Sequence, residues 1–394
     1  MRKIKYIYLL PILLLLSSCE KPTVLNTHIV AGYYSQEFGY LPPMNTVVTL
    51  KMYYQSQYQK VVSGYDKIIN DLSKEVDRYH DYENIANIKT INDSCGNSQE
   101  IILSDSLFEL ISLGVDLTKI TKGAFNIAMG NLIDLYAPYF DESSPGLIKQ
   151  LPAQNLIDNA LDTIPRYSEI DDYIILNKDN KSIILNKYHN NNIVLSLGAI
   201  AKGFVMQKAF DYLKSYDYPS IIDAGSSTMA TLNDNPLKKD KAWTIGFQKP
   251  VINDNDNILA TIKINGDYFI STSGDYRLNF FYLDDNNNQK LMHHIIDPDT
   301  GISNNYVRSV TLISKNANLA ILDAISTAIF NYPNIDDVNA LLNDLHSTYN
   351  VDIDYLITKP YSNSFEEYSI ELSNGFNGLI TSSFDNSIKE INII

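Results

Sequence analysis

The segment "NLAILDAISTAIF", residues 318–330, sets one acid in an almost wholly apolar stretch. On a helix Asp323 and Thr327 stand at i and i+4 and share a face. A buried carboxylate without partners is costly, so Asp323 requires a cation or several donors. One carboxylate and one hydroxyl, completed by phosphates and water, are ligands that Mg2+ commonly takes. The alternative is Asp323 satisfied by backbone donors, with Thr327 bonding back to its own helix. A second candidate is "VLSLGAIAKGF", residues 194–204. An apolar strand is expected to end at Leu197, Gly198 to allow a tight turn, and a helix to start near Ala201. The free N–H groups of such a turn, with Lys202 beside them, suit a pyrophosphate. A lysine there opposes the helix macrodipole, which a bound anion would explain. Otherwise the segment is a tight connection carrying a solvated lysine.

The third candidate is "HHIIDPDTG", residues 293–301, in a chain with six histidines. Successive strand side chains face opposite ways, so His293 and His294 cannot both enter one site. One is expected to face a ligand while the other packs or meets solvent. Asp297 is placed to hold the "DPDTG" turn by an Asx-type bond. A histidine beside it suits a general base near neutral pH.

Positioning these groups takes an α/β fold with much antiparallel pairing. Strands are expected at "NTVVTLKMYY", "PSIIDAG", "WTIGFQ", "ATIKING", "YFISTSG" and "SVTLIS". "DDYIILNKDNKSIILNK" forms one hairpin, and "RLNFFYL" with "KLMHHII" another. "YDKIINDLSKEVDRY" sets Ile68, Ile69, Leu72 and Val76 on one helical face. "SLFELISLGVDLTKIT" opens with Ser106 and Glu109 in a capping-box spacing. "AKGFVMQKAFDYLKSY" and residues 316–332 give two further helices. "KGAFNIAMGNLIDLY" is a packed helix entry. No repeat is visible, and residues 44–394 are expected to form one domain.

The N-terminus carries Arg2, Lys3 and Lys5, an apolar run to Leu16, and then Ser17, Ser18 and Cys19. The apolar run is too short to span a bilayer. The pattern resembles a bacterial lipoprotein signal: residues 1–18 are removed, Cys19 is lipidated, and residues 19–43 form a tether. A plain signal peptide with an incidental Cys19 is the alternative. Removal of three positive charges and no acids takes the formal charge from -15 to -18. That charge excludes bulk phosphate neutralisation, and with it a nucleic-acid partner. With Cys19 lipidated, Cys95 has no intrachain disulfide partner. The 28 tyrosines are assigned to biased composition rather than to a ligand surface.

Taken in order, eight segments resemble the FAD:protein FMN transferase (ApbE) family. They are "MNTVVTL", "YHDYENIANI", "GAFNIAMGNLI", "LGAIAKG", "WTIGFQKP", "TSGDYR", "HHIIDPDTG" with "SVTLIS", and "LDAISTAIF". The resemblance implies a T-fold-related α/β fold with a mixed, largely antiparallel sheet and packed helices. It implies transfer of FMN from FAD to a Thr or Ser hydroxyl of a partner flavoprotein, releasing AMP. FAD contacts then fall on Met44, Tyr79, Ala124, Phe125, Asn126, Ser196, Lys202, Ile296 and Asp297. Mg2+ ligands fall on the Ala199 carbonyl, Asp323 and Thr327, with Ser326 close by, and the base position on His294. A lipid anchor on the periplasmic face of the inner membrane also follows from the resemblance. The chain departs from the family at Ser196 and Asn126, where Asp is usual, and at Asn45, where Gly is common. Two other functions remain open: a Mg2+-dependent FAD pyrophosphatase, and a non-catalytic FAD-binding lipoprotein.

Overall fold

The computed structural model describes residues 24–30, 33–41, 46–53, 58–140, 145–252, 257–362, 364, 366–382 and 384–394. Cys19, Met44, Asn45 and the signal segment lie outside the described residues. The molecule is built on a ten-stranded sheet. Its strands run in the order Val24–Val30, Tyr33–Leu41, Thr46–Tyr53, Ser220–Ala224, Thr228–Leu232, Tyr268–Gly274, Ser309–Ser314, Asp354–Pro360, Tyr368–Leu372 and Ile388–Ile393. Neighbours pair antiparallel except the last two, which are parallel. The mixed, largely antiparallel sheet with packed helices is the architecture expected from the sequence.

Alternation explains how the sheet is covered. Along Thr46–Tyr53, Val48, Leu50 and Met52 are fully buried while Val47 and Lys51 are exposed. Those inward residues join one large core with the helices Tyr58–Glu75, Ala201–Lys214 and Leu319–Ala328. Ile270, Ile313, Leu356, Ile370 and Leu372 point the other way. They pack under the ribbon Trp243–Gln248 with Ile258–Ile264, and against Phe376. Ser309–Ser314 is buried at every position because it is covered on both faces.

Three local expectations differ from what is observed. Residues 20–43 were expected to be a tether, but Val24–Val30 and Tyr33–Leu41 form a hairpin that extends the sheet. Strands at a sheet edge are held by backbone pairing, so apolar alternation there is weak. The helix after "LSDS" spans Asp105–Ile120, and its cap is Ser104, not Ser106. The Ser104 hydroxyl accepts the Leu107 N–H at 3.0 Å. Residues 193–197 run extended but join no ladder beyond a single bridge between Val194 and Met129. The Ser196 N–H instead donates to the Ile127 carbonyl at 2.8 Å. Among the described residues, no helix is long and apolar enough to cross a membrane.

Candidate functional site

Two helices and two strands meet at Asp323. The helix Leu319–Ala328 starts at Asn318, whose side chain accepts the Ala320 N–H. The helix Ala201–Lys214 has no side-chain cap of its own at Ile200. The Ala201 N–H donates to the Leu197 carbonyl at 2.8 Å, and the Lys202 and Gly203 N–H groups that follow are left for partners outside the helix. One is satisfied from the neighbouring helix: the Gly203 N–H donates to Asp323 Oδ2 at 3.0 Å. Gly203 makes this approach possible. A Cβ on it would lie 2.3 Å from the Leu319 carbonyl oxygen, so only glycine lets the backbones come so close.

The other carboxylate oxygen faces the paired strands Thr228–Leu232 and Tyr268–Gly274. Thr228 Oγ1 and Ser271 Oγ donate to Asp323 Oδ1 at 3.3 and 3.4 Å. Ser271 and Ser273 stand at i and i+2 on Tyr268–Gly274 and share a face. Ser326 Oγ lies 3.3 Å from Ser271 and 2.8 Å from Ser273. Ser273 also reaches Thr327 Oγ1 at 3.3 Å, and Thr327 donates to the Asp323 carbonyl at 3.2 Å. Burial pushes the Asp323 carboxyl pKa up, against the pull of Lys202 and of its donors. The alternative reading of Asp323 is observed in its hydrogen bonds. It accepts a backbone donor and Thr327 bonds back, yet the long hydroxyl contacts leave its charge only partly compensated.

Lys202 joins this group to the histidine. Its ammonium acts on both Asp323 and His294, and it lies 3.5 Å from the Gly198 carbonyl. Gly198 itself faces open space, with no atom within 4 Å of a Cβ placed there. Gly198 is thus exposed, and Ala199 partly exposed, beside a cation.

The two histidines divide as their alternation requires. His293 is fully buried, with its ring edge-on to Phe330 and Nε2 2.8 Å from the Asn304 carbonyl. Burial takes its pKa down to about 3, so the ring is neutral. His294 is exposed to solvent, with its N–H bonded to the Leu278 carbonyl at 3.1 Å. Surrounding protein, then the Lys202 charge, lower its pKa to about 4. The solvent contact discounts the burial contribution, which leaves an accessible neutral imidazole whose basicity Lys202 restrains.

A sequence profile of the ApbE family matches residues 44–351. The chain belongs to the ApbE family. It is 27% identical over 263 residues to the FAD:protein FMN transferase of Klebsiella pneumoniae, covering 66% of this chain and 74% of that one. It is 26% identical over 323 residues to the Vibrio cholerae protein of the same name, covering 80% and 84%. Its fold superposes on the ApbE protein of Thermotoga maritima with a TM-score of 0.67 at 21% identity, over 89% of this chain and all (100%) of that one. The flavin transferase ApbE of Vibrio cholerae gives 0.64 at 20% identity, over 88% and 99%. These structural likenesses establish the shared fold.

In this ApbE protein the remaining expected site residues lie in three loops. Tyr79 is 59% exposed, its backbone tied to Asp77 and its ring 5.0 Å from the Arg78 guanidinium. Burial pushes the Asp77 carboxyl up, but donors from Tyr79, Tyr82 and His80 outweigh it and leave the pKa lowered. Among the described residues no hydrogen bond links the Tyr79 side chain to the Asp323 group. In the second loop the Phe125 ring packs in the core, and its backbone N–H and carbonyl are both bonded to the Thr121 hydroxyl. Asn126 is turned inward as well. Its Oδ1 accepts the Ala128 N–H at 2.8 Å and its Nδ2 donates to the Pro165 carbonyl at 3.5 Å. In the third loop Ile296 is buried beside Phe280 and Met292. Asp297 holds its turn as expected, with Oδ1 accepting the Asp299 N–H at 2.9 Å.

A cation at Asp323 would rest on oxygen alone. Among the described residues no three His, Cys, Asp or Glu side chains converge. One carboxylate, the Thr327 hydroxyl and the turn carbonyls form a hard-oxygen donor set, which suits Mg2+ and not a thiolate- or imidazole-seeking metal. Sequence reasoning missed Thr228, Ser271 and Ser273. The i, i+2 serines of "ISTSG" were the available signal.

Proposed function

We propose that this protein moves FMN from FAD onto a Thr or Ser hydroxyl of a partner flavoprotein, releasing AMP. The observation that supports the reading is that Asp323, to whose carbonyl Thr327 bonds back, and His294 both lie within the electrostatic reach of Lys202. Asp323, Thr327 and the Ala199 carbonyl would hold Mg2+. Bound there, the ion supplies charge neutralisation for a diphosphate and for the phosphate of the departing AMP. Lys202 and the open Gly198 turn orient the diphosphate. The acceptor hydroxyl oxygen forms a bond to the FMN phosphorus as the bond to the AMP phosphate breaks, and His294 takes the hydroxyl proton. A diphosphate beside Lys202 offsets that ammonium's effect and restores basicity to His294 at the moment it is needed. Met44, Tyr79, Ala124, Phe125, Asn126, Ser196, Ile296 and Asp297 are the proposed flavin-nucleotide contacts.

The test is the mass of an acceptor flavoprotein incubated with the protein, FAD and Mg2+. An FMN-sized adduct on a Thr or Ser is expected, and its absence with every acceptor tried defeats the proposal. Because His294 is open to solvent, water is the competing nucleophile. AMP and free FMN formed without an acceptor would favour the pyrophosphatase instead.

Anchoring belongs to the same proposal. Cys19 carries lipid, and several acyl chains give durable attachment at the periplasmic face of the inner membrane. Cys19→Ala should move the protein from the membrane fraction to the soluble one. An unchanged distribution counts against the anchor.

A further inference from the structure

We propose that Asn304 and Asn331 are positioning residues that preset the flavin-nucleotide site. Both lie outside every residue group assigned above to substrate or metal. The inference rests on the reading of Ala124, Asp297 and His294 as parts of an FAD site.

The two amides form one continuous polar chain. Asn331 Nδ2 donates to the Ala124 carbonyl at 3.0 Å. Asn331 Oδ1 accepts from Asn304 Nδ2 at 3.1 Å, and the same Nδ2 donates to Asp297 Oδ2 at 2.9 Å. The backbone carbonyl of Asn304, not its side-chain amide, lies 2.8 Å from His293 Nε2. Chemistry fixes each orientation. A carboxylate only accepts, so the Asn304 amide must present its NH2 to Asp297, and a carbonyl only accepts, so Asn331 must present its NH2 to Ala124. His293 must therefore carry its proton on Nε2, which leaves Nδ1 bare, buried and without a hydrogen-bond partner.

The chain joins segments distant in sequence. Ala124 opens the loop that leads to Asn126. Asp297 holds the "DPDTG" turn. His293 precedes His294 and fixes the strand end from which that side chain projects. Asn331 closes the short turn Ile329–Asn331 that follows the helix bearing Asp323 and Thr327. In that turn Phe330 also meets the His293 ring, at 5.4 Å. Two neutral amides thus set the spacing between the nucleotide loop, the turn, the base and the metal helix, and neither adds charge to a diphosphate site.

Asn331→Asp and Asn304→Ala test this in the full chain. Asn331→Asp keeps the size and the acceptor toward Asn304 but removes the donor to Ala124. FAD affinity is measured by quenching of flavin fluorescence, with melting temperature and steady-state kinetics alongside. We expect Kd and KM for FAD to rise about tenfold, the worth of one well-placed hydrogen bond, with kcat changed less than about threefold. FAD affinity within about twofold of wild type in the folded variants overturns the proposal. So does a loss confined to kcat. Should Asn304→Ala fail to fold, Asn331→Asp decides alone. Wild-type protein that binds FAD but transfers nothing refutes only the transferase reading, whereas wild type that binds no FAD refutes both.

Discussion

Asp323→Asn separates what the carboxylate does for the fold from what it does for chemistry. The side chain is 4% exposed, and burial raises its pKa. Its folded-state pKa therefore lies above the unfolded value, the reverse of a salt-bridged aspartate. Between those two values the folded state holds the extra proton, so stability falls as pH rises through that window. Above it the ionised carboxylate costs stability in full. Asparagine removes that cost and keeps the shape. Its carbonyl can accept the Gly203 N–H, and its NH2 can face Thr228 and Ser271, whose hydroxyls turn from donors to acceptors. Relieving a buried charge in this way is worth about 1–2 kcal/mol at neutral pH. In a chain of this size that is a rise of roughly 1–3 °C in melting temperature.

The same variant should lose its response to Mg2+. At one hundred times Kd a ligand stabilises the native state by about 2.7 kcal/mol, and the asparagine variant should gain none of it. Thermal melts at pH 7.5, with and without Mg2+ and FAD, are run beside the acceptor mass assay. The expected pattern is a higher melting point for the variant without Mg2+, a lower one than wild type with it, and no adduct. The advantage without Mg2+ should shrink as pH falls toward the unfolded carboxyl value. A variant several degrees less stable than wild type without Mg2+ would show that Asp323 acts as an ionised helix cap, and retained transfer would remove it from the metal site.

His294→Ala should lower kcat about 100- to 1,000-fold with FAD affinity largely kept; equal loss from His293→Ala would reverse their facing. Because surrounding protein and then Lys202 hold the His294 pKa of the free protein below the ordinary imidazole value, kcat/KM for FAD should stay level from neutrality down to mildly acidic pH and fall only as the imidazole protonates below that. A fall centred near pH 7 would point to another base. Lys202→Ala should raise KM for FAD about tenfold or more through loss of a charge-assisted phosphate contact, and an unchanged KM would place the diphosphate elsewhere. Gly203→Ala sets a Cβ 2.3 Å from the Leu319 carbonyl oxygen. Overpacking of about 1–3 kcal/mol should outweigh the roughly 1 kcal/mol gain in helix propensity. A denaturation midpoint at or above wild type would refute that close approach.

Most of the framework was legible because burial is periodic. Val48, Leu50 and Met52 alternate inward, and the two hairpins are punctuated by Asn and Asp turns, so their elements fall where the pattern sets them. Local chemistry with two equivalent candidates was less legible. Ser104 and Ser106 are both plausible caps, and only the folded register shows that Ser104 receives the N–H. Alternation separated His293 from His294, and only the resemblance chose His294 as the base position. The hydroxyl wall around Asp323 followed from neither, because Thr228 and Ser271 come from strands that the sequence cannot pair. Nor could a sequence reveal that Asp323 caps the helix that begins at Ala201. That contact spans 120 residues and depends on one glycine.

The departures at Asn126 and Ser196 look like losses only when each is taken alone. A carboxylate at position 126 would match the Oδ1 contact to the Ala128 N–H, but it has no proton for the Pro165 carbonyl that Nδ2 addresses. Asparagine is thus the better partner for this chain's own loop. Ser196 is likewise tied through its backbone to Ile127, in the same loop. Both changes replace a potential negative charge with a neutral group, in a protein whose formal charge is already -15. Under the proposed function, a dianionic diphosphate approaching Lys202 would meet less repulsion as a result. Lys202 and Asp323 belong to helices packed together at Gly203. If Lys202 takes the substrate charge and Asp323 the counter-ion, as proposed, both roles rest on one helix–helix contact, so a change there should disturb both at once.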